Sequence, residues 1–256
     1  MMLTTHQNAV TARVLDEEES GRRHIVVSLS GAHAYGFPSP DSDLDLKAIH
    51  LAPTEQLLGL SQPKLHATRL ETIDGVEIDY SSNEIGPVLA GILSGNGNYI
   101  ERVIGALTIR TSPEHDELKS LVTRALSRKV FRHYQGFATG QLGDFEKAEA
   151  PTAKKVLYVL RTALTGTHLL RTGVLVTDLT QLWDEYNYQS AAALVKVKQT
   201  GERVVLDADT RKHWLGQIGR AFELLDHAHS TSPLPEESNN RIEVEDWLLR
   251  TRRRFL

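Results

Sequence analysis

The chain has 256 residues, of which 40% are hydrophobic and none is cysteine, and its 29 Lys and Arg against 33 Asp and Glu give a formal charge of −4. This length allows one large domain or two small ones with a buried core. The absence of cysteine excludes disulfides and thiolate metal sites. No apolar run is long enough to span a membrane, and the N-terminus lacks the apolar segment of a secretory signal, which predicts a soluble cytoplasmic protein.

The acidic residues are concentrated in the first part of the chain. Residues 1–110 contain 8 basic and 14 acidic residues, whereas the remainder contain 21 and 19. Indiscriminate nucleic-acid binding relies on Lys and Arg that neutralise phosphates, so a weakly acidic chain is poorly suited to it. An RNA partner would therefore contact local cationic groups. The arginine-rich tail at 250–254 is one candidate, although such a tail also suits a solvated helix end.

The N-terminal part predicts strands joined by short loops. The apolar, β-branched segment 24–29 predicts a buried strand, 30–37 a loop with a short helix, and 38–42 a turn. Segments 43–49 and 76–80 alternate polar and apolar residues, which predicts two strands with one solvated face each.

Helical spacing begins at Ile85 and dominates the rest of the chain. Apolar residues recur every three or four positions to residue 93, and a second helix is predicted around 99–107. Four long helices are predicted at 114–126, 129–149, 152–172 and 210–229. A short strand is predicted at 203–206, and a final helix at 241–254. The pattern indicates an α+β domain at 1–112, a helical domain at 113–229, a linker at 230–240 and a C-terminal helix with a basic tail at 241–256.

Two aspartates lie two positions apart on one of the alternating strands. Asp43 and Asp45 leave the same face of that strand with Cβ atoms about 6.5 Å apart, a separation at which two carboxylates can bracket a pair of divalent ions. Asp79, or Glu77 on the same face, can add a third carboxylate if its strand lies alongside. Oxygen ligands of this kind favour Mg²⁺ or Mn²⁺. The alternative interpretation is a set of solvated acids on a strand face.

A glycine-containing turn precedes these aspartates. Segment 30–36 joins the buried strand to a helix start, where N–H groups and the helix dipole favour an anion such as a triphosphate. Gly31 permits close approach of the backbone to phosphate. The combination of these features is more specific evidence for a triphosphate site than any one of them alone. It consists of a buried strand, a glycine turn, a short helix and two spaced aspartates.

This combination resembles the nucleotidyltransferases of the DNA polymerase β superfamily, whose signature is a Gly-Ser loop followed about ten residues later by Asp-x-Asp. The matching segment is GAHAYGFPSPDSDLDL, which begins at Gly31. The fuller pattern is similar to the RNA repair pathway polymerase β family, also called YcgL-type predicted nucleotidyltransferases. The chain has Ala32 where the family usually has Ser. The resemblance extends to residue 202 through further blocks: Gly95-Asn96 with Glu101, Tyr134-Gln135-Gly136, Lys154-Lys155 with Tyr158 and Arg161, and Lys198-Gln199-Thr200-Gly201-Glu202.

The resemblance implies a polymerase β-like nucleotidyltransferase core, a mixed β-sheet with flanking helices, in the first domain. It implies that Asp43, Asp45 and Asp79 are catalytic and bind two Mg²⁺ or Mn²⁺ ions. The expected reaction transfers a nucleoside monophosphate from a triphosphate such as ATP to an acceptor hydroxyl, at an RNA terminus in RNA repair, and releases pyrophosphate. The implied nucleotide-binding residues lie in the loop and on one helix: Ser30, Gly31, Ala32, His33, Tyr35, Ser42, Lys154, Tyr158 and Arg161.

The helical candidates share one face of a predicted helix. Lys154, Tyr158 and Arg161 stand at i, i+4 and i+7, and two cations around an aromatic ring suit a nucleotide. An amphipathic helix whose cations reach solvent around a half-buried tyrosine has the same pattern. His33 is expected beside the nucleotide rather than as a metal ligand.

Two other functions fit the same residues. The acceptor can be a protein side chain or a small molecule, as in AMPylation, and the acidic balance favours this version. Alternatively, the chain is a catalytically silent nucleotide- or RNA-binding protein, an idea motivated by Ala32. The retention of three acids argues against the silent form, because unneeded buried acids are costly. The sequence leaves the donor base and the oligomeric state open.

Overall fold

A five-stranded mixed sheet forms the N-terminal part of the computed structural model, which describes residues 3–201 and 204–256. The strands are β1 (Arg23–Leu29), β2 (Leu44–Leu51), β3 (His66–Ile73), β4 (Val76–Glu84) and β5 (Thr108–Thr111), in the order β3-β4-β2-β1-β5. Strands β2 and β4 are parallel, and the other neighbouring pairs are antiparallel. The α+β class and the predicted strands β1, β2 and β4 are therefore confirmed.

Helices flank the sheet and make up the C-terminal part of the chain. The described residues form α1 (Thr5–Glu19), α2 (Gly31–Ala34), α3 (Thr54–Leu58), α4 (Ile85–Leu93), α5 (Gly97–Ile104), α6 (Pro113–Arg124), α7 (Val130–Glu146), α8 (Ala153–Thr172), α9 (Leu179–Tyr186), α10 (Ala191–Thr200), α11 (Ala208–Ser230) and α12 (Arg241–Arg253). Helix α8 lies at the centre of the helical part, where α7, α9, α10 and α11 pack against it. None of the helices in the described ranges is both long and apolar enough to traverse a lipid bilayer.

Several elements differ from those predicted. Helix α5 ends at Ile104 rather than near 107, because Gly105 adopts an extended conformation. Elements α1, α3, β3, β5, α9 and α10 go beyond the predicted set. The strand predicted at 203–206 is wrong for its described part, where Val205 makes only an isolated bridge to Thr152. Arg203 of that prediction and Glu202 of the last family block lie outside the described residues.

The sheet and the helices share a hydrophobic core. One cluster joins Ile49 of β2 to Leu169 of α8, Leu225 of α11 and Trp247 of α12, so its members come from both sides of residue 112. The boundaries predicted for the domains and the linker stay predictions.

The arginine-rich tail is docked on the sheet through one of its residues. Arg252 Nη2 lies 2.9 Å and 3.0 Å from the carboxylate oxygens of Glu84, which is fully buried at the end of β4. The hydroxyl of Thr54 also donates to the Arg252 carbonyl over 2.8 Å. Arg252 therefore has a structural role at this end of the sheet.

Candidate active site

Two carboxylates face one lysine at the centre of the sheet. Asp45 of β2 lies directly opposite Asp79 of β4 in the parallel register. Lys47 follows on the same face of β2, with its Nζ 3.3 Å from Asp45 Oδ1 and 2.9 Å from Asp79 Oδ2. Strand alternation produces this arrangement, since residues 45 and 47 point the same way and the register adds residue 79 beside them.

Asp43 contributes negative charge to the same region. It comes directly before β2, and alternation places it on the face of Asp45. Burial raises the pKa of Asp45 to about 6, and the charges of Asp43 and Asp79 act in the same direction, whereas Lys47 opposes them. The carboxylates therefore form a strained group of like charges that a cation stabilises.

The register distinguishes the two acids that the sequence offers as a third carboxylate. Asp79 pairs with Asp45, whereas Glu77 is exposed and stands beside Thr72 of the edge strand β3. The structure thus brings Asp79 next to Asp45.

The carboxylate oxygens of the site meet only part of what Mg²⁺ or Mn²⁺ requires. Within residues 3–201 and 204–256, no group of three or more His, Asp or Glu side chains is arranged to hold a metal ion. The carboxylates of Asp45 and Asp79 do converge on one cationic group, the Lys47 ammonium, and carboxylate oxygen is the donor that Mg²⁺ and Mn²⁺ prefer. The pair therefore fits one divalent ion in place of the ammonium, and a second ion would require Asp43, whose charge acts on Asp45.

The glycine loop lies directly against the carboxylate of Asp45. Gly31 has φ +61°, and a Cβ at this position would come within 1.8 Å of Asp45 Oδ2. The backbone N–H of Ser30 donates to the Asp45 carbonyl over 2.9 Å. Only glycine combines this left-handed conformation with so close an approach. The loop and the carboxylates are consequently one structural unit.

A cavity of about 240 Å³ opens in front of this unit. Among the predicted nucleotide-binding residues, Ser30, Gly31, Tyr35 and Tyr158 line it together with Asp45. Burial raises the pKa of Tyr158 above its ordinary value, so its hydroxyl stays protonated and can donate a hydrogen bond. The cavity is thus bordered by Asp45, the loop and the first turns of α8.

Other predicted nucleotide-binding residues of the loop lie away from this cavity. Ala32 is 3% exposed and belongs to an apolar cluster with residues of α7 and α8. Ser42 is part of the turn before β2, where its Oγ accepts from the Ser39 N–H at 2.9 Å and from the buried Lys198 Nζ at 3.3 Å. His33 is half-buried next to this turn, and burial holds its pKa below the ordinary value.

Arg161 lies in a buried ion pair rather than at the cavity surface. Its Nη1 and Nη2 donate to the two carboxylate oxygens of Glu101 over 2.9 Å and 3.1 Å, and Tyr134 donates to the same carboxylate over 3.1 Å. The guanidinium stacks under the ring of Tyr35, 3.4 Å from its centroid. Arg161 therefore supports Tyr35, which lines the cavity.

Lys154 lies outside the set of residues that line the cavity of Asp45. It lines an open recess of about 310 Å³ that also contains Lys155 and Tyr158. A smaller recess of about 90 Å³ is also lined by Tyr158, together with Arg161, His133 and Phe137. The three helical candidates share a helix face but occupy different environments.

Two cations at the cavity are absent from the predicted set. Lys47 continues the alternation of Asp43 and Asp45, and this period of two is the signal that identifies it. Arg102 of α5 donates from Nη1 to Asn83 Oδ1 over 2.6 Å and from Nη2 to Ser81 Oγ over 3.4 Å. Its contact with β4 depends on tertiary packing, so no local pattern points to it.

Comparisons with known proteins identify the family of the chain. The model of the RNA repair pathway DNA polymerase beta family matches residues 7–250, so the chain belongs to this family. The membership confirms the resemblance of the sequence and supports a nucleotidyltransferase.

Two relatives and one solved structure align with most of the chain. Uncharacterized protein MJ0002 of Methanocaldococcus jannaschii is 26% identical over 225 residues, which cover 86% of this chain and 90% of the relative. Uncharacterized protein YcgL of Bacillus subtilis is 27% identical over 217 residues, which cover 77% and 79%. A nucleotidyltransferase-like protein from Exiguobacterium sibiricum aligns with 96% of this chain and 80% of its own, at 12% identity and a TM-score of 0.35.

Proposed function

We propose that the chain transfers a nucleotidyl group from a nucleoside triphosphate to the terminal hydroxyl of an RNA and releases pyrophosphate. The observation that carries this proposal is the pairing of Asp45 with Asp79 on parallel strands, where Asp45 lies beside Gly31 and lines a cavity. The family supports the reaction class, and the RNA acceptor rests on its link to RNA repair.

The carboxylates are the proposed ligands of two divalent ions. Asp43 and Asp45 would hold both, and Asp79 would hold the ion nearer the acceptor. Bound there, Mg²⁺ or Mn²⁺ stabilises negative charge on the attacking and leaving oxygens of an in-line displacement.

The chain's own residues position the two substrates. The backbone of the Ser30–Gly31 loop faces the triphosphate, and Tyr158 donates its hydroxyl to the nucleotide. The acceptor oxygen forms a bond to the α-phosphorus while the bond from that phosphorus to the bridging oxygen of pyrophosphate breaks. The hydroxyl proton passes to the carboxylate of Asp79, which is the more exposed member of the pair with Asp45. Arg102 supplies fixed positive charge at the cavity.

The test is transfer of label from each of four α-³²P nucleoside triphosphates with Mg²⁺ or Mn²⁺. The acceptors are RNA oligonucleotides with free 3′-hydroxyls and, separately, a mixture of cell proteins. We expect label in RNA. Label in protein would replace the RNA acceptor by a side chain. Nucleotide binding without release of pyrophosphate from the triphosphate, in the presence of either acceptor, would contradict the enzymatic function.

A further inference from the structure

The Lys47 ammonium occupies the position between the carboxylates where a cation is needed. We propose that Lys47 is an internal counter-cation that holds Asp45 and Asp79 together and is exchanged for a divalent ion when the site is loaded. This inference rests on the proposed function, because it assigns a role in ion loading to a residue of the same site.

The contacts of Lys47 account for its place between the strands. Its Nζ reaches Asp79 Oδ2 at 2.9 Å, Asp45 Oδ1 at 3.3 Å and the Asp79 backbone carbonyl at 3.3 Å. The side chains of Lys47 and Asp45 are 16% and 18% exposed, so the ammonium and one of the two carboxylates are largely withdrawn from water. Without a cation, the carboxylates would repel each other across the register.

The same contacts leave the ammonium free to exchange. Lysine carries a compact charge on a flexible stem, and its ammonium lacks the planar, two-point geometry of a guanidinium. Asp79 is 40% exposed, which gives an ion in solvent access to the pair. Arg102, the other cation at the cavity, is held by Asn83 and Ser81 through side-chain hydrogen bonds. Lys47 is therefore the group suited to leave.

The displaced ammonium remains in the cavity. Lys47 lines the same cavity as Ser30 and Gly31, which we assign to the triphosphate. Loading of the site would thus transfer one positive charge from the carboxylates to the region of the phosphates.

Competition between the ammonium and the ion is measurable without any turnover. Mn²⁺ binding to the full chain, free of nucleotide, is followed by electron paramagnetic resonance for wild type, Lys47→Met and Lys119→Met. Lys119 is exposed on α6 and provides the matched control. We expect Lys47→Met to bind Mn²⁺ at least about tenfold more tightly, equivalent to about 1.4 kcal/mol, and Lys119→Met to bind as wild type does.

An unchanged or weaker affinity of Lys47→Met would overturn the inference. Asp79→Asn separates this failure from that of the proposed function. If wild type has an Asp79-dependent Mn²⁺ site and Lys47→Met binds equally well, only the exchange is refuted. If wild type has no such site, the proposed metal chemistry and the exchange both fail.

Thermal unfolding provides an independent test. In EDTA, Lys47→Met should melt below wild type and Lys119→Met should not, because only the former leaves two carboxylates without a cation. Saturating Mn²⁺ should remove the difference. Equal melting of Lys47→Met and wild type in EDTA would contradict the role of Lys47 as a counter-cation.

Discussion

Two charged clusters border the cavity, and they differ in how their charges are balanced. Asp45, Asp79 and Lys47 combine two acids with one flexible cation, and Asp79 is 40% exposed. Glu101 and Arg161 combine one acid with one cation through two hydrogen bonds, at side-chain exposures of 10% and 7%. The first cluster has an excess of negative charge and an open side, whereas the second is neutral and closed.

This difference separates a cluster whose charge favours the uptake of a cation from one that supports the fold. A closed, paired cluster has no reason to accept another ion, and breaking it leaves a buried charge. An acid-rich cluster gains from any additional cation that reaches it. Both clusters touch the same cavity, because Arg161 stacks under Tyr35 and Asp45 lies against Gly31.

The largest expected effect is a loss of stability when the closed cluster of Glu101 and Arg161 is broken. Arg161→Met leaves the Glu101 carboxylate buried without its partner, and we expect a loss of about 3–5 kcal/mol in the free energy of unfolding. Urea denaturation measures this loss. Lys47→Met is the comparison and should cost about 1 kcal/mol or less, because its partners are partly solvated. Equal losses in the two variants would contradict the distinction between the clusters.

The next largest effect is a loss of enzymatic activity when an acid of the open cluster is replaced. Asp79→Asn should reduce pyrophosphate release about 10³-fold, or about 4 kcal/mol in the barrier, with little change in stability. Glu77→Gln removes an exposed acid two positions away on the same strand and should leave activity within about twofold, since the lost charge is solvated. A loss of activity in Glu77→Gln with full activity in Asp79→Asn would assign the third carboxylate to Glu77.

A methyl group at the loop tests the contact between the loop and the carboxylate. Gly31→Ala should lower activity about 10²-fold, or about 2.7 kcal/mol, because its Cβ would displace the Asp45 carboxylate. Gly75→Ala is the matched control: Gly75 has φ +81° with open space around its Cβ position, so only the cost of about 1 kcal/mol in stability is expected. Full activity of Gly31→Ala would show that loop and carboxylate are independent.

A buried, uncharged histidine on the opposite face of the sheet, His50, extends the comparison. Burial lowers the pKa of His50 to about 4, and its Nδ1 lies 2.7 Å from Ser82 Oγ. The unfolded chain, with a His pKa of about 6.5, binds more protons between pH 6.5 and 4, so stability falls as pH falls through this range. We expect a loss of about 2 kcal/mol between pH 7 and pH 5 from this residue.

The measurement for His50 is the unfolding free energy against pH in wild type and His50→Asn. The unfolding free energy of the variant should change less than that of wild type between pH 7 and pH 5, since the Asn side chain does not titrate. Equal slopes would show that His50 does not contribute.

The strands that carry the site are predictable because their patterns are local. The β-branched run of β1 and the alternation of β2 and β4 indicate strands with a defined face. Edge strand β3 has no such signal, since its exposed and half-buried positions carry the apolar Leu70 among small, polar and charged residues. Helix α1 is likewise poor in apolar residues, and its Thr4–Gln7 capping box is its clearest local mark.

The composition of the site depends on contacts that spacing alone does not define. Alternation places Asp43, Asp45 and Lys47 on one face, but the choice of Asp79 over Glu77 requires the parallel register of β2 and β4. Helical spacing groups Arg161 with Lys154, yet a glutamate 60 positions earlier determines where the guanidinium lies. Pairing partners that are distant in sequence decide these positions.

The most direct test of the account is a crystal structure of the full chain with Mn²⁺ and a non-hydrolysable nucleoside triphosphate analogue, read from the anomalous signal of the metal. We expect a Mn²⁺ peak bound by oxygens of both Asp45 and Asp79, with the Lys47 Nζ displaced from the carboxylates and the triphosphate against Gly31. A peak away from this pair, or Lys47 still bridging both carboxylates beside a bound nucleotide, would contradict it.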